Sequence, residues 1–229
     1  MNDAVTKLAI FDCDGTLVDS GATIHQALDQ SLRRHGHDCP PREEAQKVIG
    51  LSLVEAMQAL IPDADHAALA ETYKEAFVDL RQRGEAVETP YDGIDDLLKA
   101  FRIEGWTLAV ATGKSEKGLH HVLDLHGWHD LFKCLHTADR HPSKPNPSMI
   151  YSAMSDCYAE AKDTVLIGDT AHDMRMARNA GVGAIGVTWG YHSTQELDEG
   201  GAHAIAAKPE DVLTLSQAWR AGAWWEDGQ

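Results

Sequence analysis

The chain alternates between short unbroken apolar runs and longer stretches whose apolar positions recur three and four residues apart. Leu8, Ala9, Ile10 and Phe11 form the first run, which ends at Asp12. Such a run predicts a strand buried on both faces, as in a parallel sheet, here Lys7 to Asp12. From Gly21 the period becomes helical: Ile24, Ala27, Leu28 and Leu32 share a face, and Gly36 is the stop. Pro40 and Pro41 open a second, short helix ending near Gly50. Leu53, Ala56, Met57 and Leu60 mark a third, broken by Pro62. Leu69, Tyr73, Ala76, Phe77 and Leu80 mark a fourth, closed by Gly84. No strand pattern interrupts these helices, so a helical module is predicted just after the first strand.

Beyond Thr89 strands and helices alternate. Asp92 is placed to cap a helix with Ile94, Leu97, Leu98 and Phe101 inward, ended by Gly105. Thr107 to Thr112 is a second buried-strand run, and a helix with Leu119, Val122 and Leu123 inward follows. Lys133 to Thr137 reads as a short strand. Asn146 is placed to cap a helix with Pro147 in its first turn and Met149, Ile150, Met154 and Cys157 inward. Thr164 to Asp169 repeats the opening logic, and its helix runs to Ala180 with Gly181 as stop. Ala184 to Val187 and Ala202 to Ala206 are weaker strands, and Val212 to Trp219 is a closing helix. Strands alternating with helices imply an α/β fold with a doubly wound, mostly parallel sheet. Trp224 and Trp225 have no assigned role.

Charge and cysteines narrow the functional classes. A formal charge of −16 argues against a general nucleic-acid or anionic-membrane binder, since both need a basic surface. It would also repel a phosphate unless a cation or local basic group intervened. The first residues hold no apolar stretch of signal-peptide form, and no run approaches membrane-spanning length. Cys13, Cys39, Cys134 and Cys157 are scattered without CxxC spacing, which favours reduced thiols and a cytoplasmic location over disulfides or a zinc site.

The chemistry concentrates where strands end. Asp12 and Asp14 stand two apart before the Gly15-Thr16 turn, and in a continued strand they would share one side. Packing does not ask for two acids there, because buried like charges repel and lose hydration. A bound cation, or a proton on one of them, makes the pair tolerable. Asp169 ends another strand, and carboxyl ends of parallel strands are where ligands collect. Asp12 and Asp169 offer hard oxygen ligands that suit magnesium. Asp173, in the first turn of the next helix, is favoured there by the helix dipole, and capping alone would also explain it. The Thr112 hydroxyl and the backbone N–H groups after Gly113 could hold phosphoryl oxygens. Lys144, stiffened by Pro145, is aimed, and its ammonium near Asp12 would keep that carboxylate ionised and meet a phosphate oxygen. His120, His121, His126 and His129 read as surface or packing residues. Cys13 points away from the acids and reads as packing.

Taken together, the sequence resembles the haloacid dehalogenase-like superfamily, in its capped phosphatase branch. Asp12-Cys13-Asp14-Gly15-Thr16-Leu17-Val18-Asp19-Ser20 fits the first motif, Thr112 the second, Lys144 in Lys-Pro-Asn-Pro the third, and Gly168-Asp169-Thr170-Ala171-His172-Asp173 the fourth. The resemblance is strongest to phosphoglycolate phosphatases. It implies a core domain of residues 1–16 and 87–229 and a helical cap domain of residues 17–86. It implies that Asp12 attacks phosphorus to give an aspartyl-phosphate and that Asp14 shuttles the proton. Magnesium would be held by Asp12, the Asp14 backbone carbonyl and Asp169, with Asp173 in support. Thr112, Gly113 and Lys144 would surround the phosphoryl group, and the cap loop at Gly50 and Leu51 would touch the leaving group. The expected partner is a small phosphorylated metabolite, with no nucleic acid or membrane, and the expected state is a monomer or homodimer. An acid at position 14 argues against a dehalogenase, and against a phosphonate hydrolase even though Lys47 is available as a Schiff-base lysine. A sugar phosphomutase and an inorganic pyrophosphatase stay open, and a non-catalytic binding module is disfavoured by the retained acids.

Overall fold

The unbroken apolar runs lie side by side as a parallel sheet. The computed structural model describes residues 5–223. In chain order these form β1 (Lys7–Phe11), β2 (Val18–Asp19), α1 (Gly21–Arg34), α2 (Arg42–Gln46), α3 (Leu53–Leu60), α4 (His66–Gln82) and β3 (Thr89–Pro90). There follow α5 (Ile94–Ile103), β4 (Trp106–Thr112), α6 (Glu116–His126), β5 (Phe132–Thr137), α7 (Ser148–Cys157) and β6 (Thr164–Gly168). The chain continues through α8 (Ala171–Ala180), β7 (Gly183–Val187), α9 (Thr194–Glu199), β8 (Ala204–Ala206) and α10 (Pro209–Arg220). Trp224 and Trp225 lie outside the described residues.

Six strands pair in the order β5-β4-β1-β6-β7-β8, each neighbour parallel. Side chains alternate across a strand, so β1 feeds two apolar layers. Ala9 and Phe11 join Leu98, Phe101, Leu119, Val122 and Val212 on the face covered by α5, α6 and α10. Leu8 and Ile10 join Ile150, Ala153, Met174 and Ala177 on the face covered by α7 and α8. Phe101 is fully buried between Phe11 and Trp106, with ring centroids 5.5 and 5.4 Å away. Burying one such side chain stabilises by about 1.5–3 kcal/mol, so truncating it would loosen that layer. Helices on both faces make the sheet doubly wound, as the alternation predicts.

Helices α1–α4 carry apolar clusters of their own. Leu28, Leu32, Met57 and Leu69 form one, and Ala27, Ala76, Phe77 and Leu80 the other. At the two ends of this segment β2 and β3 pair antiparallel, Val18 with Pro90 and Asp19 with Thr89. Two-residue strands have no readable period, which is why the sequence gives no warning of them. Helix α9 has a single buried apolar residue, Leu197, and its signal is the capping box of Ser193 and Glu196. Two expected caps differ. Gly93, not Asp92, is the N-cap of α5, and Pro147 is that of α7, where Asn146 Oδ1 accepts from Ser148 N at 3.0 Å. Helix α2 stops at Gln46, short of Gly50, and leaves the stretch to Gly50 as successive turns. No helix among the described residues is long and apolar enough to cross a membrane.

Candidate active site

Strand register brings the polar strand ends together. Phe11 pairs with Val110 on one side and Ile167 on the other, so Asp12, Thr112 and Asp169 leave the sheet along one edge of three adjacent strands. Asp12 N still donates to Ile167 O at 2.9 Å, fixing where the acid emerges. Lys144 reaches this point from the loop ahead of α7 and is 1% exposed. A buried ammonium is tolerable only when paired. Its Nζ lies 3.0 Å from Asp12 Oδ1 and 2.6 Å from Asp173 Oδ1. The other Asp173 oxygen accepts from the Thr170 hydroxyl at 2.6 Å and the Thr170 N–H at 3.2 Å, closing a capping box on α8. Asp173 therefore caps its helix and faces Lys144 at once.

Asp169 is fully buried and accepts from the Thr16 hydroxyl at 2.8 Å and from Tyr191 N at 2.9 Å. Gly15 lies against it at φ +87°, and a Cβ there would stand 2.2 Å from Asp169 Oδ2. Only glycine combines that backbone angle with that approach. Asp12, Asp169 and Asp173 each turn an oxygen into one space, all within 4.8 Å of one another. Burial pushes the Asp12 carboxyl up to about 6, with Lys144 pulling it down and Asp173 pushing it further up. Burial and the same two neighbouring acids hold Asp169 well above the ordinary range. Asp12 Oδ1 makes no hydrogen bond although Lys144 is close. Three buried carboxylates against one ammonium leave negative charge uncompensated, and hard oxygen donors fit a small divalent cation such as magnesium.

A raised carboxyl value has a definite sign in stability. The native state holds the Asp12 proton more tightly than the unfolded chain, so this contribution is full below about pH 4 and is lost as pH rises through 6. In metal-free protein, Asp12→Asn is expected to gain on the parent across that window by up to roughly 3 kcal/mol. Paired denaturation curves with chelator between pH 4 and 7 check this, and a difference that does not grow with pH contradicts it.

Asp14 does not join the acid cluster through its side chain. The strand ends at Phe11, and the chain turns as Leu17 and Val18 N–H groups fold back on Cys13 O. Asp12 and Asp14 nevertheless both border the cavity described below, while Cys13 between them packs in the core as expected. Asp14 accepts from Ser20 Oγ at 2.5 Å and from Lys114 Nζ at 2.7 and 3.0 Å. Lys114 also lies 3.2 Å from Glu88, which takes a two-pronged contact from Arg81 of α4 at 2.7 and 2.9 Å. Burial opposes the Lys114 charge, but Asp14, Cys13 and Glu88 outweigh it and hold the ammonium above its ordinary range. Thus a chain of alternating charges runs from Asp14 to the helical segment. Lys114→Met would leave Asp14 and Glu88 short of a partner at an expected cost of about 3–5 kcal/mol. Thermal denaturation reads that loss. An unchanged midpoint would mean that solvent already screens the pair.

Loop 47–52 sits on the sheet edge. A Cβ on Gly113 would lie 2.5 Å from Leu51 O and 2.6 Å from Gly50 O, so these backbones touch because Gly113 has no side chain. Ser52 N donates to Ser143 Oγ at 2.7 Å. Beneath this contact lies a cavity of about 750 Å³, bordered by Asp12, Asp14, Thr112, Gly113, Gly50 and Leu51. On the helical side Met57, Tyr73 and Phe77 line it. Lys47 lies outside this cavity and borders a separate hollow with His172 and Arg175. The histidines behave as packing and surface groups: His120 stacks on His129 and His126 contacts Glu88 O. Sequence reasoning passed over Lys114, although it stands two residues after Thr112. Glu88 and Arg81 carry no local signal, since only the tertiary fold brings them to Lys114.

Comparison with known proteins agrees with this geometry. The sequence profile of the family described as haloacid dehalogenase-like hydrolase matches residues 9–187. The chain belongs to that family. It is 34% identical to Probable phosphatase IndB of Dickeya dadantii, over 92% of this chain and 94% of that one. It is 31% identical to a phosphoglycolate phosphatase of Vibrio vulnificus, over 94% of this chain and all of that one. A crystal structure of a predicted phosphatase from Clostridium acetobutylicum superposes with a TM-score of 0.81 at 25% identity, covering 92% and 98% of the two chains. The chain is accordingly a hydrolase of haloacid dehalogenase-like fold, with phosphatases among its relatives.

Proposed function

We propose that this hydrolase is a magnesium-dependent phosphatase acting on a small phosphomonoester, with Asp12 as nucleophile. One observation supports this most: Asp12 stands at the cavity between Lys144 and two further buried acids, while Asp14 is held apart by its own partners. Asp12 would attack phosphorus and form an aspartyl-phosphate. Asp14 would give its proton to the leaving oxygen and later take one from the attacking water. Lys144, the Thr112 hydroxyl and the Gly113 backbone would meet the phosphoryl oxygens. Asp12, Asp169, Asp173 and the Asp14 carbonyl are the groups that would hold magnesium, whose chemistry is to neutralise charge on the transferring group. Residues 17–86 would act as a cap that excludes water from the closed site.

The reacting end of the substrate is then phosphoglycolate-like, and the cavity gives room for an organic group larger than glycolate. The test is phosphate release from phosphoglycolate, an aryl phosphate, a sugar phosphate, a nucleotide and pyrophosphate, with magnesium or with chelator. Magnesium-dependent release from monoesters is expected. Turnover of pyrophosphate alone, or isomerisation of the sugar phosphate without release, would overturn the reading in favour of a pyrophosphatase or a phosphomutase.

A further inference from the structure

On edge strand β5 a second group of side chains meets that the phosphatase chemistry leaves unused. Cys134 and His136 lie two apart and share a face of the strand. Asp156 and Cys157 end α7, which packs on β5. One ligand atom from each of Cys134, His136 and Asp156 lies within 4.8 Å of the others, and Cys157 Sγ is 3.7 Å from Cys134 Sγ.

His136 decides what this cluster is for. It is 9% exposed, and its Nδ1 lies 3.1 Å from His141 Nε2, while His141 Nδ1 lies 2.9 Å from Ser148 Oγ. Two ring nitrogens at that distance share one hydrogen. With the hydrogen on His136 Nδ1, the form a metal takes, the Nε2 lone pair is bare and faces the cluster; with His141 donating instead, Nε2 carries a hydrogen toward Asp156. That Nε2 is buried without a hydrogen bond, and Asp156 Oδ2 stands 3.3 Å away but off the line along which an N–H would donate. A bare lone pair beside a carboxylate is repulsive unless a cation sits on the lone-pair axis between them.

The geometry points to a zinc site formed by Cys134, His136 and Asp156, with Cys157, which lies against Cys134 but outside that group of three, closing in as the fourth ligand when the ion binds. Tetrahedral zinc, with bonds of about 2.3 Å to sulfur and about 2.0–2.1 Å to nitrogen or oxygen, separates two thiolates by about 3.8 Å and an N/O pair by about 3.4 Å. Two of the six edges already match, at 3.7 Å between the sulfurs and 3.3 Å between His136 and Asp156, and the two pairs have to draw together around the ion. Two thiolates and an imidazole select zinc over magnesium. Four protein ligands leave no open position, so the site is structural. His141 and Ser148 orient the ligating ring from behind. On binding, both thiols release protons to solvent, leaving one net negative charge on the centre. The ion would pin the end of α7 to the sheet edge, and the segment leading into that helix carries Lys144.

The test uses the full-length reduced protein in magnesium buffer, titrated with cobalt and then zinc. One equivalent of cobalt should give thiolate-to-cobalt charge-transfer absorption and the visible bands of a tetrahedral centre, both bleached by zinc. The oxygen cluster around Asp12 cannot supply the thiolate band. Cys157→Ser should weaken it, Cys134→Ser combined with Cys157→Ser should abolish it, and His141→Ala should weaken zinc binding about 10- to 100-fold. Asp156 is exposed, so Asp156→Asn tests the site without disturbing the core, and it should weaken zinc at least as much as His141→Ala. Absence of the thiolate band overturns the proposal. So do unchanged zinc affinity in Cys157→Ser and Asp156→Asn, loss of the zinc on Asp169→Asn, or a Cys134–Cys157 disulfide in protein that takes up no zinc when reduced.

Discussion

Asp12→Asn is expected to abolish turnover while leaving the fold in place. The substitution keeps the shape of the side chain and removes the oxygen that would bond to phosphorus. Removing the nucleophile of a serine protease costs on the order of 10⁶-fold in kcat, and a loss approaching that order is expected here. Folding should survive because Lys144 keeps its contact with Asp173 at 2.6 Å, so no buried charge is left alone. Phosphate release from an aryl phosphate, read beside circular dichroism, separates the two effects. A variant that retains even a tenth of the activity would rule Asp12 out as nucleophile.

Lys144→Met should damage both stability and turnover. Its ammonium is the charge nearest to Asp12 and Asp173, and without it three carboxylates crowd one another in a buried space. Removing one partner of a buried pair costs about 3–5 kcal/mol. Taking away a charge aimed at the transferring group costs about 10²- to 10³-fold in kcat, as for a lost oxyanion donor. The stability loss has a pH sign. Without the lysine, Asp12 loses its main lowering influence, so the native carboxyls bind protons more tightly still. The variant should therefore recover stability as pH falls from 7 to 5, and added magnesium should restore part of it at pH 7. Denaturation midpoints across that range, with and without magnesium, check this. A deficit independent of both pH and magnesium would assign Lys144 a packing role only.

The legible parts of the fold are those with a period. β1, β4 and β6 are continuous apolar runs, and α1, α3 and α4 repeat at helical spacing, so local sequence carries them. β2, β3 and α9 are too short to show a period and are held by long-range pairing or by a cap. In the site, Asp12, Thr112, Lys144 and Asp169 could be picked out because each ends a strand or follows a stiff turn. The partnership of Asp14 was not legible. Lys114 comes 100 residues later in the chain, and Glu88 and Arg81 reach it only through tertiary packing. Alternation puts Asp12 and Asp14 at one cavity, but it carries no sign that the strand ends at Phe11 and that Asp14 pairs away from the acid cluster.

The contact at Gly113 has a further consequence. The loop meets the sheet edge carbonyl against Cα, so the joint is main chain on main chain. Such a seam is blind to side-chain identity at Leu51, whose contribution is a carbonyl. Residue 51 can drift through many amino acids without loosening it, provided Gly113 stays bare and Gly50, at φ +96° with Thr170 3.2 Å from where its Cβ would stand, stays glycine. Selectivity can then be rewritten by side chains such as Leu51 and Met57 that border the cavity, while the alignment of the reacting groups is inherited unchanged.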